Sequence, residues 1–525
     1  MAHWATAAMD RDQIVLFSPT LDSMVGPDHP VRLMDEILGR MDWSRWESQY
    51  VQVLGQPPIH PRVVASALLY GLSEGTRSSR RLERACGTSI DYLWLVRGRP
   101  IDHSTFCEFR TKFRDALKDL FRQVGRVAME MGMIRLGCVA LDGTKVKANS
   151  SRHGTATART LAERLTHLDR QVEEALSQME AQDARDQAFF GPEDSPQHLP
   201  RKLADLKRRQ EQLRLALRKA EAEGQAARKG KAPKAPVADP EAQIAPNKEG
   251  GFAPNYTPVA VVAEGGLIVA ADVLEDSDES EAVLPAVDAV QENLGQRPEE
   301  MLADSAFQSG PNLRGLQERG VEGYIPSATR RDAADNPARR EDPRQAVPAE
   351  KWDRLPIDSG TKRLCRTAFI YDAPGRRYFC PMGKALEDIG AYAKNRRKMT
   401  IVYQRYRCGG CVGCPLKGRC VPRDSVARTI DRDEHEPLRE AMDERMRSEE
   451  AKRRRGLRSH LAEGVFAVLK QVMGVRQFLL RGLAKVRIEW TWAALALNLR
   501  KMAVRWRQKV HGAAPIPRAA TVVAN

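Results

Sequence analysis

Apolar positions recur along this chain in three rhythms, and each predicts a different kind of element. In residues 13–136 they return every three or four positions: "HPRVVASALLYGLSEG" carries them at 63, 64, 68, 69 and 72, one face of a helix that stops at Gly75. "TRSSRRLERACGTSIDYLWL" predicts a short basic helix after a Ser-Ser cap. In the next segment Asp102 or Ser104 caps a helix whose Phe106, Phe109, Phe113, Leu117 and Leu120 make one apolar stripe. Residues 157–224 step by fours and threes, through Leu161, Leu165, Leu168, Val172, Ala175 and Met179, then Leu203, Leu206, Gln210, Leu213, Leu217 and Ala220. With "FFGPEDSPQHLP" as the break, these seams predict an antiparallel coiled-coil hairpin.

The third rhythm is that of strands. "NYTPVAVVAEGGLIVAADVLE" predicts a hairpin turning at Glu-Gly-Gly, and "SDESEAVLPAVDAVQENLG" a helix with an acidic first turn and Gly295 at its end. "EEMLADSAF" is a short buried strand ending in Asp304, "GPNLRGLQERG" a helix and "VEGYIPS" another strand, so the unit is α/β with a mixed sheet. A charged helix is expected over about 433–455. "HLAEGVFAVLKQVMG" and the tryptophan-rich "KVRIEWTWAALALNLRKMAVRW" predict two more helices. The Ala/Pro/Lys-rich "ARKGKAPKAPVADP" reads as a flexible basic linker.

Composition narrows the partners. Lysine and arginine outnumber the acids 84 to 69, a net charge of +15, which favours a polyanion, above all nucleic acid. Arg77, Arg80, Arg81, Arg84, Arg110 and Lys112 fall on and between the short helices, which suits a helix-turn-helix-like DNA contact. No apolar run reaches 18 residues and "MAHWATAAMDRDQ" lacks the charge pattern of a signal peptide, so neither a membrane nor a secretory route is expected. Nine cysteines, five of them bunched from 380 to 420, argue for a reducing, cytoplasmic setting.

Two stretches carry candidate chemistry. "VALDGTKVKANSS" runs from an apolar strand into Asp142-Gly143, which is a hairpin-turn signal and equally a carboxylate at a strand end. Asp304 repeats that situation, and Glu463 lies on a helix whose Val465, Phe466, Val468 and Leu469 would pack on the same sheet. Carboxylate oxygens suit Mg²⁺, and two such ions activate a nucleophile and stabilise the leaving oxygen of a phosphodiester. Separately, Cys380, Cys408, Cys411, Cys414 and Cys420 have spacings that four thiolates could use to hold zinc, with an iron–sulfur cluster or unmetallated thiols as alternatives.

"DHPVRLMDEIL", "GQPPIHPRVVASALLYGLSEGTRSSRRLE", "DHSTFCEFR", "ALDGTKVKANSS", "LADSAFQSGPNLRGLQERGVEGYIPS" and "AEGVFAVLKQVMGVRQFLLRGLAKVRIEWTWAALALNLRKM" resemble, in order, the blocks of bacterial insertion-sequence transposases of the DDE type. The resemblance implies an α+β multidomain chain. It has a helical N-terminal DNA-binding domain at 13–136 and an RNase H-like α/β catalytic domain. The latter comprises a first catalytic strand at 137–156, a core at 255–330 and C-terminal helices at 457–505. A coiled-coil insertion (157–224), the linker (225–254) and a Cys-rich insertion with its charged helix (331–456) interrupt it, and a disordered tail (506–525) follows. The acid triad falls on Asp142, Asp304 and Glu463, using Mg²⁺ or Mn²⁺. Arg458, Lys470 and Arg481 match basic positions that meet DNA, and Asn498 lies in the closing block. The tyrosine common before the glutamate is missing, residue 455 being arginine. The implied partners are transposon terminal inverted repeats and target DNA, bound by a homodimer. A repressor without catalysis and a metal-dependent nuclease without strand transfer are the alternatives.

Overall fold

The computed structural model describes residues 20–50, 57–190, 201–226, 233–246, 250–276, 278–327, 336–358, 360–396 and 399–509. The N-terminal part is helical as its periodicity predicts. α1 (Pro30–Gly39) buries Val31, Met34, Ile37 and Leu38. α2 (Pro61–Ser73) is buried almost all round, the mark of a helix enclosed by others. The basic segment is two helices rather than one: α3 (Ser79–Thr88) and α4 (Ile90–Val96) meet at Ser89, whose extended backbone breaks the ladder. Asp102 caps α5 (His103–Lys112) by accepting from the Ser104 and Thr105 amides at 2.6 and 3.0 Å. At Phe113 the chain leaves helical geometry before α6 (Arg114–Glu130).

β1 (Arg135–Gly143) opens a mixed sheet. β2 (Val146–Lys147) and β3 (Thr155–Thr157) lead into α7 (Ala158–Phe190) and α8 (Arg201–Ala226). These pack as the antiparallel pair the leucine steps predict. Leu161 and Leu168 meet Leu213, Ala216 and Ala220, and Asp169 accepts from Gln210 at 2.6 Å. The Pro-rich turn expected between them lies outside the described residues.

The following segment departs from the linker expected at 225–254. β4 (Lys234–Pro236) pairs with β3 and β5 (Gln243–Pro246) with the next long strand. Between them Asp239, 1% exposed, accepts from Tyr256 Oη at 2.7 Å and the Gly482 amide at 3.1 Å. Composition alone does not register such a tie.

β6 (Phe252–Glu264) and β7 (Ile268–Leu274) form the expected hairpin, with Gly265 and Gly266 at φ +95° and +74° supplying the turn no side-chain-bearing residue adopts easily. α9 (Val283–Leu294), β8 (Glu300–Leu302), α10 (Gly310–Glu318) and β9 (Glu322–Tyr324) complete the unit. The strand order is β2-β6-β1-β8-β9, with β5 and β7 also on β6, antiparallel to β6 and parallel from β1 through β8 to β9. Cys138 to Leu141 are buried without alternation because the sheet is covered on both faces.

β10 (Ile370–Asp372), β11 (Arg377–Phe379), β12 (Ala385–Arg396), β13 (Met399–Cys408) and β14 (Thr429–Asp433) make a separate antiparallel sheet with its own core around Tyr378, Leu386 and Tyr406. The charged helix expected at 433–455 is divided. α11 (Glu436–Arg445) stops, and Ser448 caps α12 (Glu449–Ala467), which runs straight into the segment read as a separate helix. α13 (Leu483–Lys509) closes the fold, and residues 510–525 of the expected tail lie outside the described residues.

The N-terminal helices and the sheet share one apolar core. Trp46 stacks on Phe109 at 5.3 Å and meets Trp492 of α13 at 6.0 Å. The helical segment is therefore seated on the sheet's own closing helix. Among the described residues no helix is long and apolar enough to cross a membrane.

Candidate active site

Register decides where the first two acids stand. β1 and β8 run parallel with Ala140 opposite Leu302, so Asp142 and Asp304 come two residues later on adjoining segments, whose backbones lie about 4.8 Å apart while paired. The turn that Asp142-Gly143 could form does not occur: β1 continues, with Asp142 opposite Ala260 and Gly143 opposite Val259. Asp304 leaves the sheet and caps a short turn, accepting from the Ala306 amide at 2.8 Å. Asp142 is largely withdrawn from water, and burial pushes its carboxyl above the usual range. The Gly143 amide at 2.9 Å and Arg458 at 3.6 Å pull the other way, while the charges of Asp304 and Glu279 add to the rise.

Glu279 is the residue that sequence reasoning missed. It opens the turn before α9 and meets Lys145 Nζ at 3.4 Å, and that ammonium also donates to Thr257 Oγ1 at 2.7 Å. A Cβ on Gly143 would sit 3.1 Å from the Glu279 carboxyl, so the missing side chain is what lets this acid approach β1. Its signal was in "SDESEAVL", where the acids were taken only as partners of a helix dipole. That helix starts at the same end of the sheet as the two strand-end aspartates.

α12 lies across β1 and β6 with Val465, Phe466 and Leu469 buried, as expected, and Val468 half-buried. Glu463 is exposed and accepts from Ser459 Oγ at 2.8 Å. Five helical steps separate it from Arg458, about 140° around the axis, so the two side chains leave the helix in different directions and Arg458 takes the one toward Asp142. A π-helical turn, Val468–Val472, follows. It places Lys470, whose ammonium donates to Thr144 Oγ1 and, at 3.1 Å, to the Lys145 carbonyl, directly behind Asp142. Among the described residues no three His, Cys, Asp or Glu side chains stand together in metal-binding geometry.

The other basic residues divide into two groups. Arg80, Arg81 and Arg84 on α3, Lys112 and Arg481 are exposed. Lys112 Nζ lies 5.6 Å from the Tyr50 ring centroid, and Arg481 donates to the Asn149 carbonyl at 2.8 Å. Arg77 and Arg110 are turned into the protein. Arg77 donates to the Gly474 and Gln477 carbonyls at 2.6 Å each and pairs with Glu489 at 2.8 Å, while Arg110 donates to the Arg77 carbonyl at 2.5 Å, with burial lowering its pKa. Both partners of the Arg77–Glu489 pair are nearly buried, at 13% and 12% exposure. Arg77→Ala should therefore cost about 3 kcal/mol, measured by denaturant unfolding, by taking the cation from Glu489, which keeps only the Leu479 and Leu480 amides at 3.0 and 2.9 Å, and by leaving the Gly474 and Gln477 carbonyls without their donor. An exposed-arginine substitution such as Arg81→Ala should stay within about 0.5 kcal/mol.

The five clustered cysteines line one enclosed space of about 20 Å³, together with Leu364, Arg428 and neighbours. A hydrogen bond from Cys408 lowers the Cys380 thiol's pKa, helped by amides of Lys384 and Met382, and raises that of Cys408 itself. The Arg428 amide also donates to Cys411 Sγ at 3.4 Å. Sulfur donors around one void are of the type zinc takes; of these thiols Cys380 is drawn toward the thiolate while burial pushes Cys420 up to about 12, and among the described residues the sulfurs do not stand in metal-binding geometry.

Family models match both ends of the chain: a transposase DDE domain over residues 379–503 and a transposase domain of the class DUF772 over residues 19–112. A comparison with curated proteins finds no match.

Proposed function

With the chain placed by those two matches among insertion-sequence transposases of the DDE type, we propose that it cuts the ends of a mobile DNA segment and joins them to target DNA, using Asp142, Asp304 and Glu463. The family carries divalent-metal polynucleotidyl transfer as its general chemistry. The observation that supports the assignment here is the parallel register that brings Asp142 and Asp304 abreast at one end of a sheet crossed by α12. That topology suits an RNase H-like core.

Mg²⁺ or Mn²⁺ bound by these carboxylates would polarise the scissile phosphate and activate the attacking water or 3′-hydroxyl. Hard oxygen donors fit such an ion, and the raised proton affinity of Asp142 fits a carboxylate waiting for a cation. Glu463 would have to give up its bond from Ser459 Oγ and turn toward the pair, because it now leaves α12 on a different side from Arg458, which faces Asp142. Arg458 holds the Asp142 charge until then. Lys470 and Lys145 brace the Thr144 loop behind the first acid, and Glu279 fixes Lys145. Exposed Arg80, Arg81, Arg84, Lys112 and Arg481 serve phosphate contact, and the cysteine cluster holds a structural zinc that orders the insertion ahead of α12.

The test uses purified full-length protein, Mg²⁺, a labelled duplex carrying the inverted repeat that flanks the gene, and a target plasmid. The expected product is the labelled end covalently joined to the plasmid. Nicking without joining would reduce the protein to a nuclease, and DNA binding without cleavage would leave it a repressor.

A further inference from the structure

A groove of about 280 Å³ runs along the seam between α6 and the outer strand β7 of the catalytic sheet, with α13 as its second wall and the end of α9 beside it. Its floor is apolar: Leu117 and Phe121 of α6 and Ile488 of α13 are buried there. Its rim is cationic. Arg114, Lys118 and Arg122 follow one another at four-residue steps, so they share one side of α6 over about 12 Å, and Arg487 faces them from α13. Among the described residues the acids lining the groove are Asp272 and Glu292, and each is already paired, Asp272 with Arg487 at 2.9 Å and Glu292 with Arg122. Arg487 also lies 3.8 Å from Glu275. Asp119 of the same helix turns away from the groove, accepting from Gln123 at 2.8 Å.

That pairing leaves Arg114 and Lys118 over. Both are exposed, and among the described residues neither has a hydrogen bond or an ion pair. Arg114 opens α6, where the helix dipole disfavours a cation and no side chain caps the free amides. A bound anion would offset both. The groove's place in the sheet says which anion. Ala271 in its wall pairs with Ala260, and Ala260 pairs with Asp142. The groove therefore lies two strands from the first acid in the same row of the sheet, about 10 Å away. Cations spaced along an open rim match a polyanion that extends past the carboxylates rather than a small anion held at one point.

We propose that this groove is a second DNA-binding site, taking the phosphodiester backbone of a duplex that runs past the carboxylates, with Arg114 and Lys118 on phosphates and Arg122 and Arg487 adding to the field from within their ion pairs. The proposal rests on the transposase reading only in taking the polyanion to be DNA. α6 lies outside both matched stretches, 19–112 and 379–503, and the arginines that the sequence offers for DNA contact come before it. Leu117, Phe121 and Ile488 belong to the core shared by the N-terminal helices and the sheet. DNA held in the groove is thereby fixed relative to Asp142, which the exposed arginines of α3 alone would not do.

The experiment compares full-length protein with its Arg114→Gln/Lys118→Gln variant, measuring affinity for a labelled duplex by anisotropy over a series of salt concentrations. Each lost phosphate contact removes about 0.9 from the slope of log affinity against log salt, so the slope should fall by about 2 and the affinity at low salt by about tenfold or more, with the melting temperature unchanged. Arg114→Lys/Lys118→Arg keeps both charges and should keep the slope. A second measurement is independent of any folding defect: acetylation of exposed lysines in wild-type protein, read by mass spectrometry, should slow several-fold at Lys118 when the duplex saturates the protein. An unchanged slope in the glutamine variant, or Lys118 reacting equally with and without saturating duplex, overturns the groove; wild-type protein that still joins ends to the target then leaves the transposase reading intact. Wild-type protein that binds no duplex overturns both. Protection of Lys118 that follows protein concentration and not DNA also overturns the proposal, marking the groove as a contact between copies of the chain.

Discussion

Asp142→Asn, Asp304→Asn and Glu463→Gln should each reduce end cleavage by about a thousandfold or more while leaving DNA affinity at the wild-type level. A metal-ligated carboxylate supports several kcal/mol of transition-state charge stabilisation, and each 1.4 kcal/mol is a tenfold rate. The amides are isosteric, so packing is preserved, and none of the three acids is assigned to phosphate contact. For Asp142 the substitution even relieves the cost of a buried charge, because burial already raises its proton affinity. Asp142→Asn should accordingly be no less stable than wild type near pH 7, and a cleavage defect cannot then be ascribed to unfolding. Glu279→Gln provides the graded comparison. It weakens the hold on Lys145 without removing a proposed ligand, and should slow cleavage by roughly tenfold, the scale of one hydrogen bond to a charged group. Full cleavage by any member of the triad's amide variants would remove that residue from the site.

The second large effect is expected from the cysteines. Protein purified without chelator should contain about one zinc per chain, and Cys408→Ser/Cys411→Ser should contain none. Structural zinc is worth about 10 kcal/mol or more in small metal-folded domains. Even a loss of about 4 kcal/mol from a unit of about 100 residues would lower its melting temperature by roughly 20 °C. The small core around Tyr378, Leu386 and Tyr406 is continuous with the cysteine cluster, so this sheet should melt first. Because it precedes α12 in the chain, cleavage should fall with it, while the Arg77–Glu489 tie of the N-terminal helices to α13 survives. Absence of stoichiometric zinc or iron would leave the thiols as packing residues around a small void.

How much of this was legible beforehand depended on the range over which each signal acts. Local periodicity carried α2, α7, α8 and the β6–β7 hairpin, because a 3.6- or 2-residue rhythm with the right cap or Gly-Gly turn is decided within the element itself. It failed where a single residue breaks a ladder, at Ser89 and Phe113, since neither is a strong breaker and the backbone there follows tertiary packing. It failed again at 234–246, where a lysine- and proline-rich composition hides a strand pair held by buried Asp239. The placement of Asp142 beside Asp304 required strand adjacency, which sequence could only suppose and the register supplies. Arg77 and Arg110 show the opposite limit: charge in a sequence says nothing of direction, and these two point inward to carbonyls and Glu489. Glu279 was invisible as a site residue because its approach depends on a missing Cβ at Gly143, 136 positions away in sequence.

The most direct test of the carboxylate site is to load the protein with Fe²⁺ in place of Mg²⁺, add ascorbate and peroxide, and map where the backbone is cut. Hydroxyl radicals act within a few ångströms of the ion. Scission should cluster near residues 142, 304 and 463, and should vanish from all three positions together in Asp304→Asn. Scission confined to the cysteine cluster, or cuts near 142 and 304 with none near 463, would contradict the assignment of Glu463 as the third ligand and with it the catalytic site described here.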